Sequence, residues 1–202
     1  MSTVSLRLLN WEISRMDAIE ALDDGAYSHF GHQIGQHPDI IDFMQPAYYF
    51  SSYVGVAVLF VIVMLLFLVQ GRRRAAVVAF VSFLSAVALI QAVRMLVPRP
   101  NPPNADKWLG AEALSGSYPS AAVFLFTLCM ILLAFALWDR MGLWMRGVFV
   151  VVAAALVGWV CMSGFFLALH YVTDVIGGLT GAALVGWIAS RFIAEPVAAS
   201  SA

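Results

Sequence analysis

The sequence predicts an all-α polytopic membrane protein, with five to six transmembrane helices in a bundle and an amphipathic interfacial helix before them. Three observations predict it. Of 202 residues, 62% are hydrophobic and only 11% are charged, against about 25% charge in a typical water-soluble domain. The mean hydropathy is +0.87. Uncharged runs of roughly 20 residues, long enough to cross a hydrocarbon core, recur along the chain. Such runs are read as helices because lipid offers nothing to unpaired backbone groups.

Residues 1–46 read as an N-terminal amphipathic segment. No signal peptide is expected, since the start lacks a basic region, an apolar core and a small-residue cleavage site. Leu9, Ile13, Met16, Ile19 and Leu22 recur every three or four residues, with Arg15, Asp17, Glu20 and Asp23 between them. That pattern suits a helix lying in the interface, followed by a turn-rich stretch from Gly25 to Pro46. Residues 47–194 form the transmembrane domain. Its spans are expected at Ala47–Gln70, Ala75–Val97, Pro119–Trp138, Gly147–Leu169, and from after His170 to Ser190. A sixth crossing within the N-terminal segment stays open. Residues 195–202 read as a disordered tail.

Charge excludes some functions and orients the chain. Eleven basic against twelve acidic residues argue against nucleic-acid binding. Arg72, Arg73, Arg74, Arg140, Arg146 and Arg191 all fall on one side by parity. Basic loops stay cytoplasmic, which predicts a cytoplasmic C-terminus. The opposite face takes the acidic N-terminal segment, the loop from Pro98 to Tyr118, and the turn at His170. Cys129 and Cys161 lie deep in apolar runs and read as packing residues. Trp11, Trp108, Trp138, Tyr48, Tyr49 and Tyr118 read as interfacial anchors.

The same parity gathers polar residues from three distant segments at one end of the bundle. Arg99-Pro100 closes the second span, Pro119-Ser120 opens the third, and His170 to Asp174 joins the fourth and fifth. His170 and Asp174 are spaced i,i+4, which on a helix puts them on one face. There the carboxylate is expected to accept a hydrogen bond from one ring nitrogen and fix the tautomer. Ser120 stands at a helix N-terminus, where backbone N–H groups favour an anion. Arg99 offers a permanently charged fork matched to phosphate oxygens. These residues describe an anion site with a nucleophile.

In this order, Arg99-Pro100, Pro119-Ser120 and then Ser163, His170 and Asp174 resemble the type 2 phosphatidic acid phosphatase superfamily and its motifs KxxxxxxRP, PSGH and SRxxxxxHxxxD. The run His170-Tyr171-Val172-Thr173-Asp174-Val175-Ile176-Gly177-Gly178 is similar to the HYxxDxxxG form of the third motif. The resemblance spans essentially the whole chain. It implies a helical bundle in which His170 forms a phosphohistidine and Asp174 orients it. Arg99, Ser120 and Ser163 would bind the phosphoryl oxygens, with no metal and no cofactor. The implied activity is a lipid phosphatase or phosphotransferase of the cytoplasmic membrane. It would act at the outer face on a phospholipid or polyprenyl phosphate or diphosphate; no oligomeric state is implied.

Three positions depart from the motifs. The Lys position falls on Ala92, the PSGH His on Ala122, and the Arg of the third motif on Gly164. A positioned general acid contributes about 10²–10⁴-fold, so an inactive relative that binds a lipid phosphate or a protein partner is the alternative. A third reading makes His170 and Asp174 a structural polar pair. Arg94 is a secondary candidate for the missing charge, although position 94 on a helix points about 200° from position 92. Its first reading is an arginine whose head reaches the interface. His32 and His37 are secondary candidates for the proton donor. With His29 they read as surface or headgroup contacts rather than as a metal site. Gly177, Gly178 and Gly181 read as close-packing positions between helices.

Overall fold

The computed structural model describes residues 18–30, 38–102 and 116–193. His32, His37, Trp11, Trp108, the first half of the amphipathic pattern and the tail lie outside the described residues. The described part is helical: α1 (residues 18–30), α2 (Pro38–Ser51), α3 (Tyr53–Val69), α4 (Arg73–Leu96), α5 (Ala121–Leu137, followed by the 3₁₀ turn Trp138–Arg140), α6 (Leu143–Phe166) and α7 (Val172–Ile193). Four helical segments are long and apolar enough to cross a membrane. The pair α2 and α3, bent by 55° at Ser52, supplies a fifth crossing if it forms one broken span. The chain is thus an integral membrane protein.

Where it is described, the stretch expected to be turn-rich is helical instead. Residues 18–30 run through Gly25, and α2 carries Pro46 inside it. A proline inside a helix costs about 3 kcal/mol, yet packing outweighs propensity here. Met44 and Ala47 are buried, and Ile40, Ile41 and Tyr48 pack beside Met44 against Trp159, Met162 and Phe166 of α6. The break falls at the serine pair. Ser51 Oγ donates to the Ala47 carbonyl at 2.8 Å, and Ser52 Oγ accepts from the Gly55 N–H as the cap of α3. Because α2 is continuous from position 38 to 51, the division expected between residues 46 and 47 falls inside a helix.

The described part of the amphipathic segment, residues 18–30, is helical, but its two faces are not used as the pattern suggests. Ile19 and Leu22 are exposed, whereas Asp23 is buried. The face turned inward carries Asp23, Tyr27 and Phe30. Phe30 stacks on Phe165 and meets Phe166 edge-on, while Tyr27 packs near Tyr171.

α5 is the centre of the bundle. Val123, Phe124, Leu125, Phe126, Leu128, Cys129 and Leu132 are all buried, so it is covered on every side. α3 buries one stripe, Val56, Phe60, Val63 and Phe67, and exposes Val54, Val58, Val61 and Leu65. Apolar side chains turned outward suit a hydrocarbon surrounding. The glycines of α7 set its distance from α5: a Cβ on Gly178 would lie 2.9 Å from the Ser120 carbonyl oxygen, and one on Gly181 would overlap the Phe124 ring. At the far end of α5, Arg72 and Gln70 donate to the Phe135 and Ala136 carbonyls, placing a cation at a helix C-terminus.

Candidate active site

The position of His170 follows from how α6 ends. Ala168 adopts φ +53, the Leu169 N–H bonds the Gly164 carbonyl at 2.8 Å, and the Ala168 N–H bonds the Phe165 carbonyl at 3.0 Å. This is a Schellman closure, which normally places glycine at the left-handed position. α3 closes in the same way with Gly71 at φ +75. After the reversal the His170 N–H also bonds the Gly164 carbonyl, at 3.2 Å. Leu167 and Leu169, buried beneath α2, fix the turn from below.

The expected hydrogen bond between His170 and Asp174 is absent. His170 Nδ1 lies 3.8 Å from Asp174 Oδ2, an ion-pair separation, and has no hydrogen-bond partner among the described residues. The reason is local. α7 begins at Val172, so His170 precedes the helix and the i,i+4 argument does not apply to it. Both carboxylate oxygens of Asp174 are engaged elsewhere. Oδ1 accepts from Arg99 Nη1 at 3.0 Å, and Oδ2 accepts from the Tyr171 N–H at 2.9 Å.

Arg99 is the centre of a closed cluster. Its Nη2 meets Asp23 Oδ2 at 2.6 Å, its Nη1 also reaches Thr173 Oγ1, and its guanidinium lies over the Tyr171 ring at 4.1 Å. Asp23 in turn accepts from the Thr173 N–H at 3.0 Å and from Thr173 Oγ1 at 2.6 Å. Burial opposes the charge on the Asp23 carboxyl. The hydrogen bonds from Thr173 and Arg99 outweigh that and hold it below the usual carboxylate range. Arg99 shows the converse: burial would lower it, but its two carboxylate partners hold it above the ordinary arginine value. A bond from the Ser117 N–H to the Arg99 carbonyl ties this segment to the approach to α5.

Beside the cluster lies a cavity of about 60 Å³, lined among others by His170, Arg94, Ser163, Asn101, Ala122 and Gly164. Tyr48, Ser51, Ser52 and Tyr53 of the bent pair close another side. On this measure a water needs about 10–15 Å³, so the space suits the four oxygens of one phosphate. Two of the three motif departures, Ala122 and Gly164, therefore line the cavity. The third, Ala92, is exposed and stands outside it. Arg94, first read as reaching for the interface, lines the cavity and donates to the Pro119 carbonyl at 3.4 Å.

The remaining predicted residues divide. Ser163 lines the cavity, with its hydroxyl donating to the Val160 carbonyl at 2.8 Å. Ser120, fully buried, caps α5 by accepting from the Val123 N–H, and its own N–H bonds the Asp174 carbonyl at 3.0 Å. Arg99 and Ser120 each bond Asp174, but none of the three is among the described residues lining the cavity. His170 is 12% exposed. Burial, with the Arg94 charge added, pulls its pKa down to about 4. No three His, Cys, Asp or Glu side chains converge among the described residues in a way that would hold a metal. Sequence reasoning missed Asp23, which looked like one more surface acid. The available signal was its spacing to Tyr27 and Phe30, which puts all three on one helical face.

These features define a helical integral membrane protein with a phosphate-sized cavity, carrying Arg94, Ser163 and His170, at one end of its bundle. No protein-family model matches the sequence, and no curated protein matches it. Its fold does match a solved structure, a transmembrane PAP2 type phosphatidylglycerolphosphate phosphatase from Bacillus subtilis. The TM-score is 0.75 over 94% of each chain, at 18% sequence identity. The chain therefore has the fold that the motif resemblance implied.

Proposed function

We propose that this protein removes or transfers the phosphoryl group of a membrane lipid phosphate, with His170 as the nucleophile. One observation carries the reading: a nearly buried, neutral imidazole lines a cavity of phosphoryl size, beside a guanidinium and near a carboxylate. Because Nδ1 lies toward Asp174, Nε2 is the atom left for phosphorus. Its attack forms a P–N bond as the bond from phosphorus to the lipid oxygen breaks. Water, or another acceptor hydroxyl, then takes the phosphoryl group and restores the imidazole. Asp174 orients the ring and balances charge on it from 3.8 Å. Ser163, beside the ring, is a phosphate contact, and Ser120 acts by fixing the start of α5.

The lipid oxygen leaves poorly until it is protonated. With alanine at position 122, a water must serve as the acid, or the leaving group must need none, as with the lipid monophosphate released from a diphosphate. The fold likeness favours lipid phosphates as the substrate class. Phosphatidylglycerolphosphate, named for the structural neighbour, is the first to assay, followed by polyprenyl phosphates and diphosphates. Residues assigned by parity to the non-cytoplasmic side surround the cavity, so the substrate is presented there.

Purified protein incubated with this lipid panel is expected to release inorganic phosphate, and His170→Ala to abolish the release. Full activity in His170→Ala would end the covalent reading. Lipid phosphate binding without turnover on any lipid would establish the inactive relative instead, the reading that Ala122 favours.

A further inference from the structure

We infer that the phosphate-contacting cation of this site is Arg94, and that Arg99 with Asp23 is a positioning pair that seats α1 against the turn bearing His170. This deepens the reading above and rests on it. Arg99 holds the carboxylates of Asp23 and Asp174, which are 1% and 0% exposed, on its two terminal nitrogens, and one face is covered by Tyr171. A phosphate reaching Arg99 must displace one of those carboxylates. A buried carboxylate stripped of its partner is strongly destabilising. A guanidinium already shared by two carboxylates also presents no net positive field to a third anion.

Arg94 stands on the cavity side. It lines the cavity together with His170 and Ser163. Its bond to the Pro119 carbonyl turns the side chain toward the start of α5. Its charge is felt at His170, where it adds to burial in keeping the ring neutral. The register of α4 brings position 94, not position 92, to this space, so the charge missing at Ala92 re-enters two residues along. Asp23 meanwhile connects α1, Arg99 and the start of α7 through Thr173. It acts on the site through these neighbours and touches no cavity atom.

The test uses the full chain in detergent micelles, titrated calorimetrically with inorganic phosphate, with thermal unfolding and lipid phosphate turnover recorded in parallel. Arg94→Gln is expected to weaken phosphate binding at least about tenfold, the loss of one charge-assisted contact, while the variant remains folded. Arg94→Lys should recover part of it. Asp23→Asn and Arg99→Gln should lower the unfolding temperature by several degrees while phosphate affinity stays within about threefold of the parent. Asp23→Asn keeps Arg99 and serves where Arg99→Gln does not fold; where neither folds, the Arg94 variants decide. Parental phosphate affinity in Arg94→Gln would overturn the inference. So would a larger affinity change, in either direction, in Asp23→Asn or Arg99→Gln, or no phosphate binding by the parent. Arg94-dependent binding without turnover sinks the phosphatase reading and leaves the inference standing. Turnover with Arg99-dependent binding does the reverse.

Discussion

The imidazole of His170 rests on the bare Cα of Gly164: a methyl group there would sit 3.4 Å from the ring's Cδ2 and 3.6 Å from its Cβ. Alanine at 164 is therefore accommodated at ordinary contact distance, whereas a branched side chain must push the ring or fill the cavity. Gly164→Ala is expected to keep most of the turnover and Gly164→Leu to lose about 10²-fold, the effect of misplacing a reacting group by an ångström. Phosphate release assayed beside the unfolding temperature checks this. Parental turnover in Gly164→Leu would contradict it.

Ala122 lines the same cavity, at the position where the motif carries its general acid. Ala122→His is expected to raise turnover of a lipid monophosphate by at least about tenfold, part of the 10²–10⁴ a placed acid supplies. The gain should shrink for a diphosphate, whose leaving group needs less help. Equal gains on both substrates would show that protonation is not what position 122 restores.

Ala168 occupies a left-handed turn that Gly71 fills at the matching end of α3. A side chain in this conformation costs about 1–2 kcal/mol, so Ala168→Gly should stabilise the fold by about 1 kcal/mol, less the added entropy of the unfolded glycine. Gly71→Ala should destabilise it by a similar amount. Thermal unfolding of both variants measures the pair, and shifts of the same sign would refute the comparison.

His170 is held neutral down to about pH 4, where an ordinary histidine protonates near 6.5. Between these values the unfolded chain binds a proton that the folded chain refuses. Stability is therefore complete above pH 6.5 and declines as pH falls from 6.5 toward 4. His170→Gln should flatten that slope. The acid limb of kcat/KM should likewise show no loss near pH 6.5 from the nucleophile. An unfolding midpoint equally steep in pH for parent and variant would assign the slope to other groups.

Gly181 lets Phe124 of the central helix lie against α7. Gly181→Leu is expected to cost about 1–3 kcal/mol through overpacking and to lower the unfolding temperature. An outward-facing change such as Val58→Leu should leave it unmoved. Equal behaviour of the two variants would mean that α5 and α7 can separate without cost.

The sequence by itself determined the membrane class, the helical fold, four of the spans to within a few residues and the end at which the polar residues gather. These rest on hydropathy and parity, which are properties of runs and need no knowledge of neighbours. Gly177, Gly178 and Gly181 were legible for the same reason, as small residues on a long apolar helix. Tertiary structure alone decided which side chains face the cavity. His170 and Asp174 looked like one helix face, but α7 starts two residues after His170, and the carboxylate turned to Arg99 and the Tyr171 N–H. Arg94 and Arg99 are both cations near the end of α4; only the packing shows that one faces the cavity and the other is shared by two carboxylates. Asp23 looked like surface charge until α1 folded down with that residue inward. Burial and pairing depend on what arrives from elsewhere in the chain, about 75 residues away in sequence for both partners of Arg99, and no local pattern records that arrival.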